Sequence, residues 1–296
     1  MMRTLERAYR AALRLPVLKP LAPKLNFAVR YRNEWLLLKG LHGSRSERPS
    51  MAFFTMHKAA SVYVANVLKR LAREAGLTLI DFDGYLFMGG KTPGDVHQPG
   101  ELARRMYQPH GYFYGPFRAF NPGIPDLDKY RVVLNVRDPR DVLVSAYFSV
   151  AYSHYVPDQA NPEAAKKIRA ARESTLQADI DEWVLASAPS VLEICADYRR
   201  NLLHKPHVLL AKYEKLVTDF DGWLAEITAF MEVKPAQRTL DELRGAAEFK
   251  VEESAARHKR QVTPGDHQRK LKPETVARLN ELFAEDLRAF GWPVEG

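Results

Sequence analysis

Cysteine is nearly absent from this sequence, and the single thiol, Cys195, can form neither an intramolecular disulfide nor a thiolate metal site. It lies inside an apolar helical run, which assigns it to packing. Long apolar runs are missing as well, since none approaches the ~20 residues needed to span a bilayer. Prolines, lysines and arginines interrupt the first residues where a secretory leader would need its apolar core. There is no short-period repeat and no low-complexity tract. The GxxxxGK[ST] loop of nucleoside triphosphatases is absent, which argues against a conventional ATP or GTP site. Acidic residues are in deficit, 36 against 44 Lys plus Arg, and the formal charge of +8 favours an anionic partner: a nucleotide, a sulfated or phosphorylated ligand, nucleic acid or a lipid surface.

The rest of the composition, 46% apolar and 27% charged, is that of an ordinary globular protein, and 296 residues suffice for one large α/β domain or two small ones. The first 50 residues stand apart, with eleven Arg and Lys against three acids and breaks at Pro16, Pro20 and Pro23. The chain therefore divides into a basic N-terminal arm, 1–50, and an α/β domain, 51–296. Within the arm, Leu5, Tyr9, Ala12 and Leu13 share a helical face with arginines opposite, the pattern of a helix lying on an anionic membrane or a partner. An arm packed on its own domain fits the same pattern. The expected location is cytoplasmic, with peripheral membrane contact through the arm.

The domain opens on a strand, a tight turn and a helix between Met51 and Ala75. Met51 to Met56 is an aromatic-rich run of strand length. In the helix, Asn66, Lys69, Arg70, Arg73 and Glu74 fall on one face, and Val62, Ala65, Leu68, Leu71 and Ala75 on the other, predicted to meet a sheet. The turn is His57-Lys58-Ala59-Ala60-Ser61. Unpaired amides of a first helical turn, the helix dipole, a lysine and a serine hydroxyl together suit an anionic group.

A second short strand is predicted over Leu77 to Phe82, and a third over Tyr112 to Tyr114. Tyr130 to Val136 reads as a strand covered on both faces. Behind it, Asp138 is placed as N-cap and Pro139 as first helical residue of a helix to about Tyr152. Two such switches predict neighbouring parallel strands opening on one crevice. Val156 to Ser174 is polar and Ala-rich, predicted as a mobile excursion or lid. Helices are expected over Ile180 to Ala188 and Val191 to Leu203, then a strand over Val208 to Ala211, a loop over Ala255 to Leu271, and one last helix from Pro273 to Gly291.

Arg137 closes the fourth strand and Ser145 lies two helical turns on. A guanidinium fork with a hydroxyl suits a terminal phosphate. The plain alternative pairs Arg137 with Asp141 and leaves Ser145 as filler.

Taken together, these stretches resemble the sulfotransferases that use 3′-phosphoadenosine 5′-phosphosulfate (PAPS). FFTMHKAASVYVANVL is similar to their phosphosulfate loop and VVLNVRDPRDVLVSAYFS to their 3′-phosphate segment, followed in order by VLLAKYEKLVTDF and a basic loop before Gly265-Asp266. The resemblance implies a central parallel sheet flanked by helices with a P-loop-like nucleotide site. It places Lys58, Ala59, Ala60, Ser61, Val62 and Tyr63 around the 5′-phosphosulfate, Arg137 and Ser145 on the 3′-phosphate, and Arg260, aided by Arg257 or Lys259, on that same phosphate. Three positions depart from the pattern. Ala60 stands where glycine is frequent, which limits positive φ; His267 replaces a tryptophan; and YFYGPFRAF lacks the histidine base of many small-molecule members.

The activity so implied is transfer of a sulfuryl group from PAPS to a hydroxyl, less readily an amine, of a small-molecule, lipid or sugar acceptor, releasing the 3′,5′-bisphosphate. Lys58 would stabilise the leaving oxygen without a metal. Asp81 is the first candidate base and His110 the second. Tyr112, Phe113, Tyr114 and Phe117 lean towards an apolar acceptor. The alternatives are a nucleotide-dependent phosphotransferase, and a non-enzymatic basic module on nucleic acid or membrane, for which no RNA motif or DNA-reading helix speaks.

Overall fold

The computed structural model describes residues 22–90, 97–154, 156, 161–247 and 262–294. Five parallel strands form one sheet: β1 Met51–Thr55, β2 Thr78–Ile80, β3 Tyr112–Phe117, β4 Arg131–Val136 and β5 Val208–Lys212, in the order β2-β3-β1-β4-β5. The two strands that carry the candidate turns, β1 and β4, are direct neighbours, with Thr55 opposite Asn135. Both are buried on two sides, and the side-chain period of two divides them cleanly. Ala52, Phe54, Val132 and Leu134 enter one core, while Met51, Phe53 and Val133 enter the other.

The helices, in chain order, are α1 Ala22–Arg30, α2 Arg32–Leu38, α3 Ser61–Glu74, α4 Phe82–Met88, α5 Glu101–Met106, α6 Pro139–Phe148, α7 Pro162–Gln177, α8 Ile180–Asn201, α9 Tyr213–Thr218, α10 Phe220–Met231, α11 Gln237–Gly245, α12 Asp266–Lys270, α13 Pro273–Leu282 and α14 Ala284–Phe290. Helix α3 buries Val64, Ala65, Val67, Leu68, Leu71 and Ala72 against the Phe53 face, with α10. Helices α8, α13 and α14 cover the Phe54 face. The expected inward stripe of α3 is shifted by a fraction of a turn, so Val62 faces solvent rather than the sheet.

Several other expectations are corrected. The segment taken for a lid contains α7, capped by the Asn161 side chain on Ala164 N, with Pro162 at its first turn and Ala165 and Thr175 buried. Its Ala content favours helix more strongly than its charges favour a loop. The pair of helices expected around Pro189 is one continuous helix, α8. The last helix breaks at Phe283 into α13 and α14, and Asp266–Lys270 is helical rather than loop.

Leu5, Tyr9, Ala12 and Leu13 lie outside the described residues. The described part of the basic arm packs on the domain: α1 runs into α2 through bonds from Tyr31 N to Phe27 O and from Trp35 N to Tyr31 O, and Tyr31, Glu34 and Leu37 are buried. No helix among the described residues is long and apolar enough to cross a membrane.

Candidate active site

The site is built at the C-terminal ends of β1 and β4. After Thr55 the chain turns through Lys58 and Ala60 at φ 64° and 54°, both left-handed, before α3 begins at Ser61. Ala60 thus adopts the conformation its side chain was expected to oppose. Each such L-residue costs roughly 1–2 kcal/mol, so surrounding contacts must hold the turn. Asn135 supplies two of them, its Nδ2 donating to the Ala59 carbonyl at 2.7 Å and to Thr55 Oγ1 at 3.0 Å. From behind, the Tyr198 hydroxyl donates to the Thr55 carbonyl at 2.8 Å.

No side chain caps α3. Its first intrahelical bond is Val64 N to Ala60 O, and Ser61, the first helical residue, is buried. Amides at this end therefore face the recess with the positive end of the helix dipole behind them. Arg137 closes the recess from β4. Its Nη1 donates to the Lys58 carbonyl at 3.0 Å, its guanidinium stacks 4.3 Å from the centre of the Tyr213 ring, and its backbone amide donates to Met56 Sδ at 3.3 Å. Asp141 approaches Nη2 at 3.7 Å, too far for a strong pair, and Arg137 Nε is buried with no acceptor. A buried, orphaned charged donor beside an uncapped helix start suits an anionic group. Ser145 is half-buried on the helical face of Asp141, four residues on.

Electrostatics follow from this crowding. Burial, with the nearby Arg137 charge, lowers the Lys58 ammonium to about 8. Burial alone would raise the Asp141 carboxyl, but its hydrogen bonds from His267 and the Arg137 charge outweigh that and hold it at about 2. Asp141 accepts from Gly265 N at 2.8 Å, His267 N at 3.0 Å and His267 Nδ1 at 2.7 Å, which ties the start of α12 to α6. Tyr213 OH donates to the Val262 carbonyl at 2.7 Å in the same region. Arg257, Lys259 and Arg260 lie outside the described residues.

On the β3 side of Lys58 stand His57 and the half-buried Arg118, one residue past the tip of β3. Crowding by protein atoms, then the charges of Arg118, Lys58 and His154, lower the His57 imidazole to about 4. One side of the residue stays open to solvent, and the ring is neutral at pH 7.

The family model described as the sulfotransferase domain matches residues 120–291, more than half of the chain. The chain belongs to the sulfotransferase domain family. The match covers β4, α6 and the elements behind them, while the Lys58 turn lies before it. No curated protein sequence matches the chain. Among solved structures, the mouse sulfotransferase SULT7A1 complexed with PAP is 18% identical over 85% of this chain and 89% of that one, with a TM-score of 0.53. Retinol dehydratase in complex with retinol and PAP is 16% identical over 87% and 85%, with a TM-score of 0.47. The first of these shows a shared sulfotransferase fold.

Within this sulfotransferase fold the candidate residues divide. Lys58, Ala59, Ala60, Ser61 and Arg137 are brought to one rim by β1 and β4, whereas the Val62 side chain is exposed, Tyr63 packs on Phe220, and Ser145 lies two turns into α6. Asp81 follows β2, an edge strand two places from β1, or roughly 10 Å at the usual strand spacing. Its Oδ1 caps α4 through Gly84 N at 2.8 Å and its Oδ2 pairs with Lys69 at 3.4 Å. His110 is removed as a base. It bridges Pro49 ahead of β1 and β3, at the N-terminal ends of the strands, so the length of β1 separates it from Lys58. The roles of Asn135, Tyr213, His57 and Arg118 escape a sequence reading because each depends on which strands are neighbours. An outward-facing His directly before Lys58 was the one visible signal.

Proposed function

We propose that this sulfotransferase-domain enzyme moves a sulfuryl group from PAPS to an acceptor hydroxyl, less readily to an amine. One observation carries the reading: Arg137 grips the Lys58 carbonyl with one nitrogen and leaves Nε orphaned in the same recess, beside an uncapped helix start. When bound, the donor supplies an activated sulfuryl group and leaves as the 3′,5′-bisphosphate. Lys58, Ser61 and the amides of Val62 and Tyr63 would hold its 5′ end, and Arg137 with Ser145 its 3′-phosphate. Lys58 also meets the charge that grows on the leaving oxygen. A sulfuryl group carries less charge than a phosphoryl group, so these donors suffice without magnesium. Turnover that survives EDTA is expected.

For the acceptor's proton, His57 stands ahead of Asp81. It is neutral and adjoins Lys58, whereas both Asp81 oxygens already serve Gly84 and Lys69. Donor anion beside Lys58 would raise His57 from its low value and improve it as a base. His57→Gln should lower turnover at least tenfold with bisphosphate affinity unchanged; unaltered turnover returns the role to Asp81. The aromatic side chains of β3, Tyr112, Phe113, Tyr114 and Phe117, are buried in the two cores and line no acceptor pocket.

Calorimetric titration with 3′,5′-bisphosphoadenosine, ATP and AMP tests the donor reading. Binding of the bisphosphate at least tenfold tighter than ATP is expected. Preference for ATP would make the chain a phosphotransferase.

A further inference from the structure

The outward face of the N-terminal helices is unusual for a surface in water. Leu25, Val29 and Trp35 are 45%, 42% and 50% exposed. On α1, Leu25, Ala28 and Val29 fall within an arc of about 100°, and beyond the non-helical Tyr31 at φ −109°, ψ 27° the exposed Arg32, Trp35 and Lys39 share one arc of α2 and its C-cap. No acid lies in either arc. The single acid between Ala22 and Leu41, Glu34, is buried on the opposite face, where its carboxylate accepts from Asp81 N at 2.7 Å. The face thus consists of apolar side chains and cations alone.

Neighbouring helices extend it. Helix α1 packs on α4 through Phe27 and Tyr85, 5.2 Å between ring centres, and α2 packs on α5. Phe87 of α4 and Leu102 of α5 are exposed too. Large exposed apolar residues are normally scattered singly, but here five of the nine among the described residues, Leu25, Val29, Trp35, Phe87 and Leu102, lie on these four neighbouring helices. The sequence leading into Ala22 adds Arg3, Arg7, Arg10, Arg14 and Lys19 against Glu6.

We infer that the outward face of α1 and α2 docks on an anionic lipid surface. A convex strip of leucine, valine and tryptophan set among arginine and lysine matches the boundary between acyl chains and acidic headgroups. A basic segment entering it adds attraction at each cation near such a surface. Protein partners of this face would need acids to match it and would meet no groove. The inference stands on the surface alone and does not need the donor assignment.

The test uses the full chain with vesicles of phosphatidylcholine, with and without phosphatidylglycerol. Sedimentation with the anionic vesicles only, reversed by high salt, is expected. Tryptophan emission should shift to the blue on binding and lose iodide quenching through the exposed Trp35, since Trp223 and Trp292 are buried and the half-buried Trp183, bonded to Thr175, lies on another helix and should not change. Trp35→Phe should abolish that shift. Leu25→Asp with Val29→Asp should weaken vesicle binding at least tenfold while bisphosphate affinity, which reports an intact fold, stays the same. Absence of sedimentation, equal binding by the double variant, or a concentration-dependent dimer that the double variant dissolves would each overturn the proposal.

Discussion

The two turns that make the donor rim are opposites in construction. The turn after β4 is satisfied from within: Asp138 caps α6 through Arg140 N at 2.9 Å, takes Nε and Nη2 of the buried Arg140 at 3.0 and 2.7 Å, and gives its own amide to Glu214. The turn after β1 has two left-handed residues, no side-chain cap, and a lysine that lies close to the Arg137 charge. One turn is finished by its own side chains, and the other takes its support from a neighbouring strand. The left-handed residues around Lys58 are tolerable because Asn135 and Arg137 of the second segment hold the turn.

Asp138→Ala should break the finished turn hardest. It strands the Arg140 guanidinium in the interior and removes a cap, a loss of about 3–5 kcal/mol read as a lowered Tm or denaturant midpoint. Arg137→Ala comes next and tests the bridge between the turns. Bisphosphate affinity should fall by about two orders of magnitude in calorimetry, and Arg137→Lys should recover little of it, because a point charge cannot replace the fork.

The Asp141 carboxylate gives a pH signature. Its folded value of about 2 lies below the ordinary 3.8, so its stabilisation is full above about pH 4 and is lost as pH falls towards 2, with a size of about 2 kcal/mol. Asp141→Asn should therefore destabilise the protein at pH 7 but converge with the unaltered chain across that acid window in urea titrations. The smallest effect belongs to the turn after β1. Ala60→Gly relieves a left-handed alanine at the N-cap and should raise stability by about 1 kcal/mol, the reverse of the usual cost of glycine in a helix interior.

The same contrast explains what was legible in the sequence. The turn after β4 could be read residue by residue, since Asp138, Pro139 and the apolar run before them act through neighbours in the chain. The lysine turn was legible as a place, but not in its conformation, because Ala60 is held left-handed by Asn135 from another strand. Helix α7 was missed although Asn161 and Pro162 carry a start signal, its charges having been weighed above its alanines. The sequence put Asp81 first and His110 second as the base and passed over His57, because which end of the sheet each occupies depends on strand pairing. Pro189 suggested a break, yet α8 carries it within a helix whose neighbours on both sides bury Val184 and Cys195.

Arg140 also sets a timetable for synthesis. Its Nη2 donates to the Pro293 carbonyl, 153 residues later, and its Nη1 to Asn280. As the chain leaves the ribosome, β1 and β4 can pair early, but the guanidinium behind the donor rim stays short of acceptors until Pro293 emerges. A nascent chain halted before that point should hold a sheet without a settled pocket.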